Sequence, residues 1–254
     1  MSNRFENKSV LLTGGTSGIG KETALAFARE GANVAITGRR AELGEGVVKE
    51  IEATGSKGLF IQGDIREESH IQDAVNQTVA AFGGLQIAVN NAGIETAAPI
   101  PEVSADDIDF VLAVNVKGVI LSMKHEIPAI LKTLNGASSG GSIINLSSVA
   151  GHIGLPGASV YIASKHAVEG ATKTAALEVA QQGIRVNAVS PGGIETDMLD
   201  RFTGHDMDSM AAMHPMGRIG KPHEIADAIL WLSSDQSSFV TGQSILVDGG
   251  MTTD

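Results

Sequence analysis

A glycine-rich turn near the start of the chain reads Thr13-Gly14-Gly15-Thr16-Ser17-Gly18-Ile19-Gly20. It follows the apolar run Val10-Leu11-Leu12 and precedes a helical pattern at Lys21–Glu30. Glycines allow the backbone to turn sharply there and to lie close to a pyrophosphate, which the N-terminus of the following helix stabilises. The turn therefore predicts a dinucleotide-binding unit, although three residues rather than one separate Gly14 from Gly18.

Short apolar runs recur along the whole chain, and most are followed by a helical pattern. The runs are nearly continuous in apolar residues, as is typical of parallel strands that are buried on both faces. Alternation of strands and helices predicts an α/β, doubly wound Rossmann fold with a seven-stranded parallel sheet. The seven runs are Val10-Leu11-Leu12, Val34-Ala35-Ile36, Leu59-Phe60-Ile61, Ile87-Ala88-Val89, Ile143-Ile144, Val186 to Val189 and Ile245-Leu246-Val247.

Between the strands, we expect helices near Lys21–Glu30, Ala41–Ala53, Glu67–Phe82, Ser104–Leu134 and Ser159–Gln181. No linker, repeat or low-complexity tract divides the chain, so residues 1–254 are predicted to form one domain. The segment at about 196–222 is too long for an ordinary loop. It carries methionines three residues apart, which predict either a packed helix face or an adaptable lid over an apolar ligand.

Composition excludes several functional classes. The formal net charge of −11 argues against nucleic acid as a partner, because binding to nucleic acid needs a basic face. The absence of cysteine excludes disulfides and Cys-ligated metals, and the histidine spacing predicts no metal site. The charged start Met1 to Lys8 has no apolar signal core, and Thr133 to Ser164, though uncharged, is broken by Ser, Gly and Pro. We therefore expect a cytoplasmic protein that neither spans nor binds a membrane.

The glycine turn and five later segments resemble the short-chain dehydrogenase/reductase family. The match extends over essentially the whole chain, in family order and at family spacing. Its ending, Val247-Asp248-Gly249-Gly250, resembles the family as well. The segments that carry the resemblance are Gly14-x3-Gly18-x-Gly20, Asn90-Asn91-Ala92-Gly93, Asn115, Ser148, Tyr161-x3-Lys165 and Pro191-Gly192.

The resemblance implies four catalytic residues: Asn115, Ser148, Tyr161 and Lys165. On a helix, Tyr161 and Lys165 share one face. An ammonium about 4 Å from the phenol could lower its pKa from about 10 by roughly 3 units, which makes Tyr161 a general acid or base. Ser148 would hold the substrate oxygen. Asn115 would bind a water that links Lys165 to solvent, or have a purely structural role.

The same resemblance implies the contacts of a nicotinamide dinucleotide. Asp64 and Ile65 would cap the adenine, and Asn91-Ala92-Gly93 would line the adenosine ribose and the neighbouring backbone. Ile194 and Thr196 would hydrogen-bond the nicotinamide carboxamide beside Pro191-Gly192. The predicted cofactor-binding residues are Gly14, Thr16, Ser17, Gly18, Ile19, Gly20, Arg39, Arg40, Asp64, Ile65, Asn91, Ala92, Gly93, Tyr161, Lys165, Pro191, Gly192, Ile194 and Thr196.

The sequence favours NADP(H) over NAD(H). Gly38 stands where an acidic residue would bind the ribose 2′-hydroxyl of NAD. Arg39 could instead bind a 2′-phosphate, and charge-assisted hydrogen bonds of roughly 1.5–3 kcal/mol give a preference of ~10–100-fold. Two observations favour NAD: arginines at a helix start are often only solvated, and Ser17 stands where many NADP-dependent relatives carry a basic residue.

These residues predict an NADP(H)-dependent oxidoreductase that interconverts a ketone and a secondary alcohol, and they favour an apolar or mixed carbonyl compound as the small-molecule substrate. Ile94, Glu95, Val149, Ile153, Leu155 and Gly193 would form the pocket walls with the lid. Alternatives are an NAD-dependent sugar or alcohol dehydrogenase and a 3-oxoacyl-carrier-protein reductase. Leu177 stands where such reductases usually carry an arginine, which argues against the latter. A non-catalytic dinucleotide sensor and a methyltransferase are rivals of other classes. The resemblance also implies a homotetramer, built on the helices Ser104–Leu134 and Ser159–Gln181.

Overall fold

All seven predicted strands are present in the computed structural model, which describes residues 3–137 and 140–253. They form one parallel sheet in the order β3-β2-β1-β4-β5-β6-β7. The predicted fold class is therefore confirmed. The strands are β1 (Ser9–Thr13), β2 (Asn33–Gly38), β3 (Gly58–Gln62), β4 (Ile87–Asn90), β5 (Gly141–Leu146), β6 (Ile184–Pro191) and β7 (Ser244–Val247).

The strand order reverses between β1 and β4, which pair directly, with Thr13 beside Asn90 at their carboxyl ends. In an open parallel sheet, connections leave in opposite directions at such a point and open a crevice there, which is where ligands bind. The fold thus places the glycine turn after β1 and the Asn91-Ala92-Gly93 segment after β4 side by side.

The helices cover both faces of this sheet. Within the described residues they are α1 (Gly18–Arg29), α2 (Ala41–Glu52), α3 (Glu68–Phe82), α4 (Ala105–Leu112), α5 (Gly118–Leu134), α6 (Ser159–Val179), α7 (Asp197–Phe202), α8 (Met207–Ala212) and α9 (Pro222–Ser233).

The segment Ser104–Leu134, predicted as one helix, is interrupted. A π-helical turn at Ala113–Lys117 joins α4 to α5. The physical reason is Asn115, whose buried side chain bonds to the backbone of Ile94 and to Ser164 in α6. The extra residue of a π-turn rotates the helix face so that this side chain points inward.

Two apolar clusters flank the sheet. On one face, Phe5 and Phe27 pack edge to face near Val10 and Leu12, and Ile225 and Leu232 of α9 join the same cluster. On the other face, the cluster includes apolar residues of α3, α5 and α6. Burial on both faces explains why the strand sequences are apolar throughout rather than alternating. No described helix is long and apolar enough to cross a membrane.

The long segment after β6 folds into α7 and α8, which lie over the carboxyl edge of the sheet. Met198 and Met210 line the cavity described below. Met213 and Met216 are 44% and 64% exposed, so the evenly spaced methionines do not form one packed face. Met213 and Met216 differ from Met210 because α8 ends at Ala212, so the helical periodicity does not continue to them.

Candidate active site

The glycines of the turn have no side chains, so a ligand can lie directly against the backbone there. Gly14 has φ +70°, and a Cβ on it would lie 2.9 Å from the Cα of Ala92. A Cβ on Gly20 would lie 2.3 Å from the carbonyl oxygen of Gly14. Helix α1 begins at Gly18, and its N-cap residue Ser17 makes no side-chain cap hydrogen bond. The first N–H groups of α1 are thus left for an anion, so these residues fit a dinucleotide pyrophosphate.

A cavity of about 780 Å³ extends along the carboxyl ends of the strands. Every residue predicted to bind the cofactor lines it, from the glycine turn to Thr196. Ser148, Tyr161 and Lys165 line it as well, and Asn115 is the one predicted site residue that does not. The fold thus brings together residues at the ends of six strands, β1 to β6, and residues of α6. The glycine turn alone predicts only the contacts at β1.

Ser148, Tyr161 and Lys165 form a group on one side of this cavity. Ser148 follows β5, where its Oγ accepts a hydrogen bond of 3.2 Å from the N–H of Ala150, and it lies close enough to Tyr161 to lower the pKa of the phenol. Helix α6 places Tyr161 and Lys165 one turn apart, as predicted, with Nζ 5.6 Å from the centroid of the tyrosine ring. Nζ also donates to the carbonyl oxygen of Leu146 at 2.7 Å.

The expected lowering of the Tyr161 pKa is not what the structure gives. Burial raises the pKa of Tyr161 to about 12, the charge of Glu95 raises it further, and the hydrogen bond with Ser148 opposes both. Burial also lowers the pKa of Lys165 to about 8, against the opposing charge of Glu169. Because the ammonium lies over the ring and is bonded to Leu146, it does not pair with the hydroxyl as the spacing alone suggested.

Asn115 lies behind the cavity wall. Its Oδ1 accepts from the N–H of Ile94 at 2.9 Å, and its Nδ2 donates to the carbonyl oxygen of Ile94 at 2.8 Å and to Ser164 Oγ at 3.0 Å. These bonds tie the segment after β4 to α6. They leave only further acceptor capacity on Oδ1 for the predicted water, because both amide hydrogens already have protein partners.

At the other end of the cavity, the Asp64 carboxylate is held by Arg66. The Nε and Nη2 groups of Arg66 donate to Asp64 at 2.7–3.1 Å, and this pairing lowers the pKa of Asp64 to about 2. The Arg66 guanidinium also lies 5.0 Å from the ring centroid of Phe110. Sequence reasoning assigned Asp64 to the adenine and missed Arg66, which the Asp-x-Arg spacing could have revealed.

The basic pair after β2 lies beside the glycine turn. Arg40 Nη2 donates to Ser17 Oγ at 3.1 Å, while Arg39 has an exposed side chain and contributes its carbonyl oxygen to Gln62. A Cβ on Gly38 would lie 2.7 Å from Cγ2 of Thr16. An acidic side chain at position 38 would therefore displace Thr16.

The walls expected from the sequence are mostly in place. Ile94, Glu95, Val149, Leu155 and Gly193 line the cavity, whereas Ile153 does not appear among its described lining residues. Lid residues that the sequence did not single out also contribute, including Leu199, Arg201 and Phe202. Their positions depend on how α7 packs over the sheet, which no local pattern specifies.

This chain is similar to a family model and to several named dehydrogenases and reductases. A family model described as enoyl-(acyl carrier protein) reductase matches residues 14–252. The chain is 43% identical to a cyclohexanol dehydrogenase of Acinetobacter sp. (strain SE19), over 99% of this chain and 98% of that one. It is 43% identical to a 2,5-dichloro-2,5-cyclohexadiene-1,4-diol dehydrogenase of Sphingobium indicum, over 98% of both chains.

A 3-oxoacyl-[acyl-carrier-protein] reductase of Thermotoga maritima is 42% identical, over 98% of this chain and 99% of that one. Among solved structures, a short-chain type dehydrogenase/reductase from Mycobacterium marinum superposes with a TM-score of 0.90 at 35% identity, covering 99% of this chain and 98% of that chain.

Proposed function

Because the chain belongs to the short-chain dehydrogenase/reductase family, we propose that it is an NADP(H)-dependent oxidoreductase that interconverts a ketone and a secondary alcohol. Family membership itself implies a nicotinamide dinucleotide and an enzyme that acts on CH–OH groups. The observation that carries the proposal is the group Ser148, Tyr161 and Lys165, which shares one cavity with the glycine turn.

Each member of this group has a distinct role in the proposal. Tyr161 donates a proton to the substrate oxygen during reduction and accepts it back during oxidation. At a pKa of about 12 its hydroxyl is in the donor form at neutral pH. Ser148 donates a hydrogen bond to the same oxygen and stabilises its developing charge. The bound dinucleotide supplies or accepts the hydride.

Lys165 and Asn115 assist Tyr161 and Ser148 in the proposed reaction. The Lys165 ammonium lies over the Tyr161 ring, where its charge favours the phenolate. Asn115 fixes the segment after β4 against α6, and the oxygen of its amide is the atom through which it would hold a water. In the proposal this water would connect Lys165 to solvent for proton exchange.

The preference for NADP(H) is supported by the shape and charge around β2. Thr16 fills the space that an acidic side chain at position 38 would need. The exposed Arg39 is available to a 2′-phosphate, and Arg40 already extends over Ser17 at the glycine turn. Charge-assisted hydrogen bonds to the phosphate predict tighter NADPH binding by ~10–100-fold.

The substrate is proposed to be a small cyclic ketone or secondary alcohol. Apolar side chains such as Leu155, Met198 and Phe202 line the cavity, and two relatives are named for cyclic alcohols. A sugar would need more polar walls. A carrier-protein substrate is compatible with the relatives, but Leu177 is 85% exposed where an arginine would be expected to dock an acidic carrier.

We propose that residues 1–254 form one domain in which residues 196–222 act as a lid, since α7 and α8 contribute to the cavity lining. A homotetramer and a cytoplasmic location are also proposed, the first from family membership and the second from composition. Nucleic acid, membranes and metals have no role in the proposal.

The test is the Tyr161→Phe variant, assayed with NADPH and cyclohexanone and with NADP⁺ and cyclohexanol. Turnover is expected to fall by at least ~100-fold in both directions, because a positioned general acid or base contributes that much. Cofactor affinity, measured by fluorescence titration, is expected to change less than threefold. Unchanged turnover would contradict the catalytic role, and a protein that binds a dinucleotide but reduces no ketone would favour the sensor.

The same titration tests the choice of cofactor. The unmodified protein is expected to bind NADPH at least tenfold more tightly than NADH. Arg39→Ala is expected to remove most of this difference, while Arg29→Ala, which changes an exposed arginine of α1, leaves it unchanged. Tighter binding of NADH would contradict the NADP proposal while leaving the oxidoreductase intact.

A further inference from the structure

Glu95 brings a carboxylate into a cavity whose lid and β5–α6 loop contribute mainly apolar side chains. It lies in the loop after β4, and only 14% of its side chain is exposed. The apolar lining includes Val149, Leu155, Met198, Phe202 and Met210. A carboxylate withdrawn from water in such surroundings is costly unless hydrogen-bond donors satisfy it.

The partners of Glu95 within the protein satisfy it only in part. Burial raises the pKa of Glu95, and its own backbone N–H and the charge of Arg201 oppose that rise only in part. The guanidinium of Arg201, on α7, approaches to 3.9 Å, which is beyond hydrogen-bond distance, and its side chain is 64% exposed. The carboxylate therefore keeps acceptor positions for a donor that enters the cavity.

Glu95 and the proposed catalytic tyrosine face the same space. Both line the cavity, and the negative charge of Glu95 raises the pKa of Tyr161. A substrate whose oxygen is held by Tyr161 and Ser148 would thus have Glu95 within reach of its remaining atoms. Because Arg201 partly balances the Glu95 charge and would repel a cation, the fitting donor is a neutral hydroxyl rather than an ammonium group.

We propose that Glu95 forms a polar subsite for a second hydroxyl group of the substrate, so that the preferred substrates are diols and hydroxyketones rather than simple alcohols. This inference rests on the proposed function, since it names the substrate class of the same site. The apolar walls would hold the carbon skeleton between the reacting oxygen and the second hydroxyl, and Glu95 would fix its orientation.

Purified wild-type protein and the Glu95→Leu and Glu95→Gln variants would be assayed for oxidation of cyclohexanol and of the 1,3- and 1,4-cyclohexanediols. For the wild type, kcat/KM is expected to be at least tenfold higher for the best diol than for cyclohexanol. Glu95→Leu is expected to lower kcat/KM for that diol at least tenfold more than it changes kcat/KM for cyclohexanol, and the extra loss is expected mainly in KM, because only the diol loses a hydrogen-bond partner. Glu95→Gln retains an acceptor oxygen and is expected to lie between the two.

Glu102→Gln is the matched control, because it changes an exposed carboxylate in the short helix Ile100–Glu102 outside the cavity. It is expected to keep the diol preference of the wild type. Equal preference for diols in the wild type and Glu95→Leu, or a wild type that does not prefer any diol, would overturn the subsite alone. A wild type that oxidises neither cyclohexanol nor any diol with either cofactor would overturn the proposed function and the subsite with it.

Discussion

Glu126 is a buried carboxylic acid in α5 that does not line the proposed active-site cavity. Its side chain is 1% exposed, and Asn90 Nδ2 donates to its Oε2 at 3.1 Å. Burial raises the pKa of Glu126 to about 8, from 4.5 in an unfolded chain. Between these two pH values the folded protein holds a proton that the unfolded chain has released. The stability that this proton brings is complete below pH 4.5 and is lost as pH rises toward 8.

We expect Glu126→Gln to remove this pH dependence. The free energy of unfolding of the wild type should fall by about 1.4 kcal/mol per pH unit between pH 5 and 8 relative to the variant, because the amide does not titrate. Urea unfolding at several pH values measures the difference. Glu178→Gln, which changes an exposed carboxylate of α6, is the control. A variant whose stability runs parallel to that of the wild type would show that Glu126 does not titrate in this range.

Single residues also show where sequence reasoning succeeds and where it ends. The placement of Tyr161 and Lys165 one helical turn apart follows from their spacing alone, and both residues lie on α6. Their pKa values could not be predicted in the same way, because both depend on burial, and that of Tyr161 depends also on the charge of Glu95, which is distant in sequence. The Arg66 contacts with Asp64 and Phe110 likewise depend on folded geometry.

Among the secondary-structure elements, the lid is joined to the turn after β6 by one buried histidine. His214 is 3% exposed, accepts a hydrogen bond at Nε2 from the N–H of Gly193 at 3.0 Å, and donates from Nδ1 to the carbonyl oxygen of Met210 in α8 at 2.8 Å. Both bonds require the neutral ring with its proton on Nδ1. A Cβ on Gly192 would lie 2.7 Å from Nε2, so the glycine allows this close contact.

We expect His214→Phe to loosen the lid, because the ring volume is kept while both hydrogen bonds are lost. The buried N–H of Gly193 is then left without its acceptor, at a cost of about 1–3 kcal/mol. Amide hydrogen exchange should quicken at Gly193 and in α8, and kcat/KM for cyclohexanone should fall about 10- to 100-fold. His223→Phe, an exposed position in α9, provides the comparison. If exchange at Gly193 stayed at the wild-type rate, the histidine would not hold the lid.

The elements themselves were largely predictable, because parallel strands buried on both faces leave continuous apolar runs and the helices between them are amphipathic. The exceptions have tertiary causes. The π-helical turn at Ala113–Lys117 depends on the bonds of Asn115 to Ile94 and Ser164. The methionine spacing after β6 predicted either a packed helix face or a lid, and the end of α8 at Ala212 interrupts such a face.

At the scale of the whole molecule, several large apolar side chains of the described chain remain exposed, and five of them lie in two regions. One region is on α4 and α5, where Ile108, Leu112 and Ile120 are exposed. The other is next to the edge strand β7, where Phe239 and Leu246 are exposed. Exposed apolar surface of this kind marks interfaces, and a chain with two self-complementary faces assembles into a tetramer of dihedral symmetry.

We therefore expect light scattering on a sizing column to give the wild type a mass close to four times the 26.2 kDa of the chain. Ile120→Lys should disrupt the helical face and Phe239→Lys the β7 face, because each buries a charge in a contact that excludes water. Each variant alone should elute as a dimer, and the double variant as a monomer. A wild type that elutes near 26 kDa would contradict the tetramer, and a tetrameric Ile120→Lys variant would exclude α5 from its interfaces.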